Sequence, residues 1–149
     1  MADRPRPAPP DHIGWDLVRA ARTWETAFTF RMVAAGHPWF GEARGRLLQY
    51  IPRTGIAQST IVSRAKLSKQ AVQQHLEALE KDGILRREPM PADQRQRRVV
   101  PTEKGLAAMD DADQIKQQIE AELGVLLGDA PLRILRQLLS DVATYSQDT

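Results

Sequence analysis

Apolar residues recur at helical spacing from the start of the chain's first long stretch: Ile13, Leu17, Trp24 and Phe28, with Val18 and Ala21 beside them, until Gly36 and Pro38 break the pattern. This spacing predicts a first helix of about 22–25 residues, with Asp11 placed to cap its start. After the connection Gly36-His37-Pro38-Trp39-Phe40-Gly41, residues Leu47, Leu48 and Ile51 suggest a short helix ended by Pro52 and Gly55. Ile61, Val62 and Ala65 then form the apolar side of a helix over about residues 58–66. A further helix begins after Ser68, runs through Val72, Leu76 and Leu79, and stops at Gly83.

Only Leu67 and Ser68 separate the last two helices, so the connection is a tight turn and the pair reads as a helix-turn-helix. Two strand candidates follow, Ile84–Glu88 and Gln96–Val100, separated by a segment with prolines at 89 and 91. Proline removes a ladder donor, which confines this pair to an exposed two-stranded hairpin. Thr102 opens a long helix through Leu106, Met109, Ile115, Ile119, Leu123 and Leu126 to Gly128. Asp129 and Pro131 start a last helix in which Leu132, Leu135, Leu139 and Val142 recur every three or four residues. The expected architecture is mainly α with a small β-hairpin.

At the N-terminus, Pro5, Pro7, Pro9 and Pro10 stand together with Arg4 and Arg6, so residues 1–11 are expected to form a flexible arm ahead of one domain over 12–149. The chain has no cysteine, which excludes disulfides, thiolate nucleophiles and thiolate metal sites. No stretch approaches the ~18 apolar residues of a membrane span and no apolar leader is evident, so a cytoplasmic protein without membrane contact is expected. Net charge is only +2, yet residues 1–104 carry 18 of the 21 basic and 11 of the 19 acidic residues. That part is therefore basic and the remainder acidic, the polarity expected of a chain that presents one part to a polyanion.

Chemistry-bearing residues concentrate in two places. If Val72, Leu76 and Leu79 face the core, Lys69, Gln70, Gln73 and Gln74 point outward, and residues 68–76 contain no acid at all. Gln suits adenine edges in a DNA major groove, and Lys suits guanine or phosphate. Arg64 and Lys66 suit phosphate, and the hairpin adds Arg86, Arg87, Arg95, Arg97 and Arg98. The second concentration is aromatic: seven of the eight aromatic residues lie within residues 15–50. His12, His37 and His75 sit on separate elements with no ligand-type spacing, and no phosphate loop or nucleophile motif appears, so neither an enzyme nor a cofactor is expected.

The run Leu67-Ser68-Lys69-Gln70-Ala71-Val72-Gln73-Gln74-His75-Leu76-Glu77-Ala78-Leu79, continuing to Arg87, resembles a recognition helix and the strand after it. With Pro91-Ala92-Asp93-Gln94-Arg95 and Val99-Val100-Pro101-Thr102-Glu103-Lys104-Gly105 in the same order, the chain resembles the MarR-type winged-helix transcription regulators over about residues 12–146. It departs from the usual pattern at Lys66, where a turn glycine is common, at Ala57, where a hydroxyl cap is common, and at Pro101, usually leucine.

The resemblance implies a winged helix-turn-helix over about residues 44–101, with residues 12–36 and 102–147 as dimerisation helices. It implies that Arg95 enters a minor groove and that Asp93 steadies it through a charge pair. The candidate DNA-contacting residues are thus Arg64, Lys66, Ser68, Lys69, Gln70, Gln73, Gln74, Asp93, Arg95 and Arg97. It also implies a small aromatic effector near Trp24, Phe28, His37, Trp39 and Phe40, although core and interface packing explains the same cluster. The expected function is a sequence-specific, ligand-responsive repressor binding a pseudo-palindromic operator as a homodimer. Two alternatives stand beside it: a winged-helix protein-interaction module and a nonspecific nucleoid-type DNA binder.

Overall fold

In the computed structural model, residues 9–145 are described, so most of the expected arm over residues 1–11 lies outside the described residues. Five α-helices and three strands follow in the order α1 (Ile13–Ala34), β1 (Ile56–Ala57), α2 (Gln58–Ala65), α3 (Lys69–Lys81), β2 (Leu85–Pro89), β3 (Arg97–Pro101), α4 (Glu103–Leu127) and α5 (Asp129–Thr144). The mainly helical fold is as expected, but the hairpin gains a third strand. β1 pairs antiparallel with β3, giving the order β1-β3-β2, with Ile56 opposite Val99 and Arg87 opposite Val99 on the other side. A two-residue strand has no periodicity to read, which is why the pattern did not announce it.

One further local expectation is corrected: α1 starts with His12 at the N-cap position and no side-chain capping bond, so Asp11 does not cap it. The short helix expected around Leu47 is present as a 3-10 helix over Ala43–Tyr50, preceded by a 3-10 turn over Pro38–Gly41. Glycines at 41 and 45 weaken an α-helix here. Gly45 also permits backbone-on-backbone packing: a Cβ there would lie 2.7 Å from the Trp39 carbonyl oxygen.

The principal core lies under α3. Val72, Leu76 and Leu79 are fully buried against Leu47, Ile61, Ile84, Leu85 and Val99. α3 begins at Ser68, whose Oγ accepts from the Ala71 N–H at 3.0 Å, and ends at Gly83, which adopts a φ of +74°. The Gly83 N–H donates to the Glu80 carbonyl and the Ile84 N–H to the Leu79 carbonyl, the paired bonds of a left-handed helix stop. α4 starts where Thr102 Oγ1 caps the Gly105 N–H at 3.1 Å, and a Cβ on Gly105 would collide with the Ile84 carbonyl oxygen. That close approach joins the long helix to the base of the hairpin. A second cluster, Met32 with Ala112, Ile115 and Ile119, packs α1 on α4. No described helix is long and apolar enough to cross a membrane.

The turn between α2 and α3 carries one strained residue. Lys66 sits at φ 52°, ψ 34°, the only non-glycine with positive φ among the described residues. Left-handed backbone costs an L-residue about 1–2 kcal/mol, while glycine's greater freedom in the unfolded chain costs about 0.4–1 kcal/mol. The first effect is the larger, so Lys66→Gly raises stability by about 0.5–1 kcal/mol. Urea unfolding without DNA checks this, and an unchanged or lower midpoint would refute it.

Candidate nucleic-acid interface

Burying Val72, Leu76 and Leu79 fixes the rotation of α3 about its axis, so its first two turns carry the exposed side chains of Lys69, Gln70 and Gln74. None of these three makes a side-chain hydrogen bond to the described residues. Arg64, in the last turn of α2, and Lys66 are also exposed, on the turn that leads into α3. Ser68 serves locally: its oxygen is the α3 cap.

Gln73 differs from its neighbours. It is half-buried on the flank of α3, where its Oε1 accepts from Gln58 Nε2 at 2.7 Å and from Arg87 Nη1 at 3.0 Å. Its Nε2 donates to Glu77 Oε1 at 2.6 Å. Arg87, on β2, also donates from Nε and Nη2 to Glu80 Oε2 at 3.0 and 2.8 Å. Gln58, Glu80 and Arg87 were not among the expected site residues. The distant sequence positions of Gln58 and Arg87 gave no local signal. Glu80 did give one, since it lies two helical turns after Gln73 on the same flank.

The hairpin tip is built by a backbone turn. The Gln96 N–H donates to the Asp93 carbonyl at 3.0 Å and the Met90 N–H to the Gln96 carbonyl at 3.1 Å. Asp93 does steady Arg95, but not through a charge pair: its Oδ1 accepts from the Arg95 backbone N–H at 3.0 Å. This leaves the Arg95 guanidinium without an ion pair among the described residues, and the same holds for Arg97. The other three hairpin arginines are engaged. Arg86 lies 3.6 Å from Glu88, Arg87 holds Glu80, and Arg98 donates to the Thr54 carbonyl. Between α3 and the hairpin runs a groove of about 520 Å³ that brings together Lys69, Gln73, Arg95 and Arg97.

The aromatic residues divide into two groups. Trp24 stacks on Phe28 with ring centres 5.2 Å apart, and Phe28 meets Phe40 edge-on at 5.7 Å. All three line a cavity of about 1370 Å³ between α1, the 3-10 helix and α4, with Arg46, Arg53 and Lys116 at its margin. Trp39 is buried in the principal core instead. His37 is buried too, and its Nε2 donates to Asp111 Oδ2 at 2.7 Å. Neither lines this cavity.

Residues 43–96 match the model of the MarR family. No curated protein matches the chain significantly. Solved structures share its fold at low identity. RV1404 from Mycobacterium tuberculosis superimposes with a TM-score of 0.75 at 15% identity, covering 94% of this chain and 99% of that one. A mutant MarR from E. coli gives 0.73 at 20% identity, covering 91% and 99%. A mutant MarR from E. coli complexed with operator DNA gives 0.70 at 20% identity, covering 87% and 92%. The family match spans the helix-turn-helix with the first strand and tip of the hairpin, and the fold agreement extends through both flanking helical segments, so the chain has the winged-helix fold of the MarR structures and carries a segment similar to the MarR family.

Proposed function

We propose that the chain is a sequence-specific DNA-binding repressor acting as a homodimer on a pseudo-palindromic operator. The observation that carries this reading is one continuous surface: the exposed, acid-free start of α3 beside a hairpin whose Arg95 and Arg97 lack ion pairs among the described residues. The E. coli MarR complex with operator DNA supports the same use of the fold. In this reading residues 44–101 read DNA, with α3 in the major groove and Arg95 in the minor groove, where a narrow, negative groove favours a guanidinium. Arg64 and Lys66 hold phosphates.

Residues 12–36 and 102–147 make the dimer. α5 supports this assignment, since none of its residues is buried while Ile134, Leu135, Leu138, Leu139 and Val142 are all exposed. An apolar stripe of that size needs a partner surface, and two-fold symmetry matches two half-sites about one DNA turn apart. The cavity beside Trp24, Phe28 and Phe40 is proposed to take a small aromatic effector that favours the conformation binding DNA less well.

Three measurements test these parts. Arg95→Ala lowers affinity for an operator fragment while leaving half-site preference intact. It also makes the log–log salt slope shallower by about 0.9 per wing, or about 1.8 per dimer. Equal slopes and affinities would show that the hairpin does not contact DNA and would favour a protein-interaction module; binding without sequence preference would favour a nucleoid-type role. Leu135→Ala with Leu139→Ala converts dimer to monomer in sedimentation, since truncating a leucine buried at an interface costs ~2–5 kcal/mol. A wild-type monomer at micromolar concentration would refute the dimer. Salicylate-like acids quench Trp fluorescence and weaken operator binding, whereas quenching with unchanged operator affinity would leave the cavity without a regulatory role.

A further inference from the structure

We infer that Gln73 is a positioning residue in DNA recognition and does not read base edges: its carboxamide clamps the first strand of the wing to the recognition helix. Sequence is then read by Lys69, Gln70 and Gln74. This inference rests on the DNA-binding reading above.

An amide side chain offers two acceptor lone pairs and two N–H donors. Both lone pairs of Gln73 Oε1 are engaged, by Gln58 Nε2 at 2.7 Å and Arg87 Nη1 at 3.0 Å. One N–H is given to Glu77 Oε1 at 2.6 Å. The chemistry of the partners fixes which way the amide points, because a guanidinium only donates and a carboxylate only accepts. A bidentate contact to adenine needs the oxygen and an N–H together. Gln73 keeps one N–H free but no lone pair, so it would have to release Gln58 or the charged Arg87 to make one, and turning the amide outward would break its bond to Glu77 as well; bonds to charged groups are roughly twice as strong as neutral ones. Gln70 and Gln74 have nothing comparable to give up.

The other end of the clamp is equally fixed. Arg87 has a side chain only 17% exposed, too enclosed to serve as a phosphate contact. Its Nε and Nη2 are held by Glu80 Oε2, and its backbone N–H lies 3.3 Å from Glu80 Oε1. Arg87 stands opposite Val99, a core residue; beyond that pair the ladder continues through Glu88 with Arg98 and Pro89 with Arg97 toward the tip. The clamp therefore acts at the point where the hairpin leaves the core, and sets the angle between the wing and α3.

The test combines selection from a random DNA pool, salt titration and hydrogen exchange, using the full chain. Gln73→Ala lowers affinity about tenfold at every site with an unchanged base-preference profile. It also makes the salt slope shallower by about 0.9 for each phosphate the loosened wing gives up, although no charge has been removed. Amide exchange over residues 89–97 speeds up in the same variant. Exchanging the two groups, Gln73→Glu with Glu77→Gln, keeps acceptors for Gln58 and Arg87 and a donor between the two positions, so it restores the slope, the profile and the slow exchange. Gln70→Ala, in contrast, changes preference at a discrete position and leaves the slope alone. Altered preference at one base position with an unchanged slope, in either Gln73 variant, would overturn the inference in favour of direct reading. Unchanged wing exchange in Gln73→Ala would overturn the clamp whether or not DNA is bound. A wild type that enriches no sequence would instead refute the DNA-binding reading itself.

Discussion

The arrangement of the whole surface depends on the burial of one stripe, Val72, Leu76 and Leu79, on the inner side of α3. Rolling the helix by one residue would return at least one of these side chains to water, at about 1.5–3 kcal/mol each. The helix is therefore locked about its axis, and every other side chain on it takes its direction from that lock. Gln70 and Gln74 fall roughly opposite the stripe, while Gln73 and Glu80 fall about 80–100° to one side. The same packing thus divides the glutamines of one short segment into exposed ones and one that meets its neighbours.

α4 carries that constraint into the rest of the molecule. Its first half supplies Ala108 and Met109 to the core under α3, and its middle supplies Ala112, Ile115 and Ile119 to the cluster with Met32. Between these contributions Arg53, just before β1, donates to Asp110 at 2.7 Å and Asp113 at 3.0 Å. The hydrogen bond from Arg53, followed by that from Lys116, holds the Asp113 carboxyl below the usual carboxylate range. Farther along, Arg31 donates to both oxygens of Glu122 and lowers that carboxyl as well. Exposed pairs of this kind contribute about 0–1 kcal/mol each, so packing supplies the stability and the pairs set the angle. One long helix thus belongs to both cores.

The helices were legible because their signals are local: apolar spacing for α1, α3 and α4, the Ser68 and Thr102 caps, and the stop at Gly83. The wing was legible from its prolines and arginines. What escaped was set by contacts between distant segments. β1 exists only because β3 offers it an edge, and the 3-10 helix depends on how Gly45 meets the Trp39 and Phe40 backbone. At the site, the outward direction of α3 could be read from a helical wheel. The engagement of Gln73 could not, because Gln58 and Arg87 reach it from two other elements. His37 and Trp39 looked like pocket residues by proximity in sequence to Phe40, yet the 3-10 turn directs them into packed surroundings.

Electrostatics show most clearly why counting residues is not enough. Five arginines on the hairpin suggest a strongly cationic wing, but three are committed to Glu88, Glu80 and the Thr54 carbonyl. The cationic side chains free of such contacts among the described residues include Arg95 and Arg97 at the wing, with Arg64, Lys66 and Lys69 around the turn. A chain of net charge +2 can still present a cationic face if its acids are far enough away. α4 has 25 residues, which at helical rise is about 37 Å, several times the ~8 Å screening length at physiological salt. Glu120 and Glu122, near its far end, are thus screened from the wing and are further neutralised by Arg136 and Arg31. The length of α4 thus keeps the acids at its far end away from the wing, while Asp110, Asp111 and Asp113 in its first half are held by Arg53 and His37.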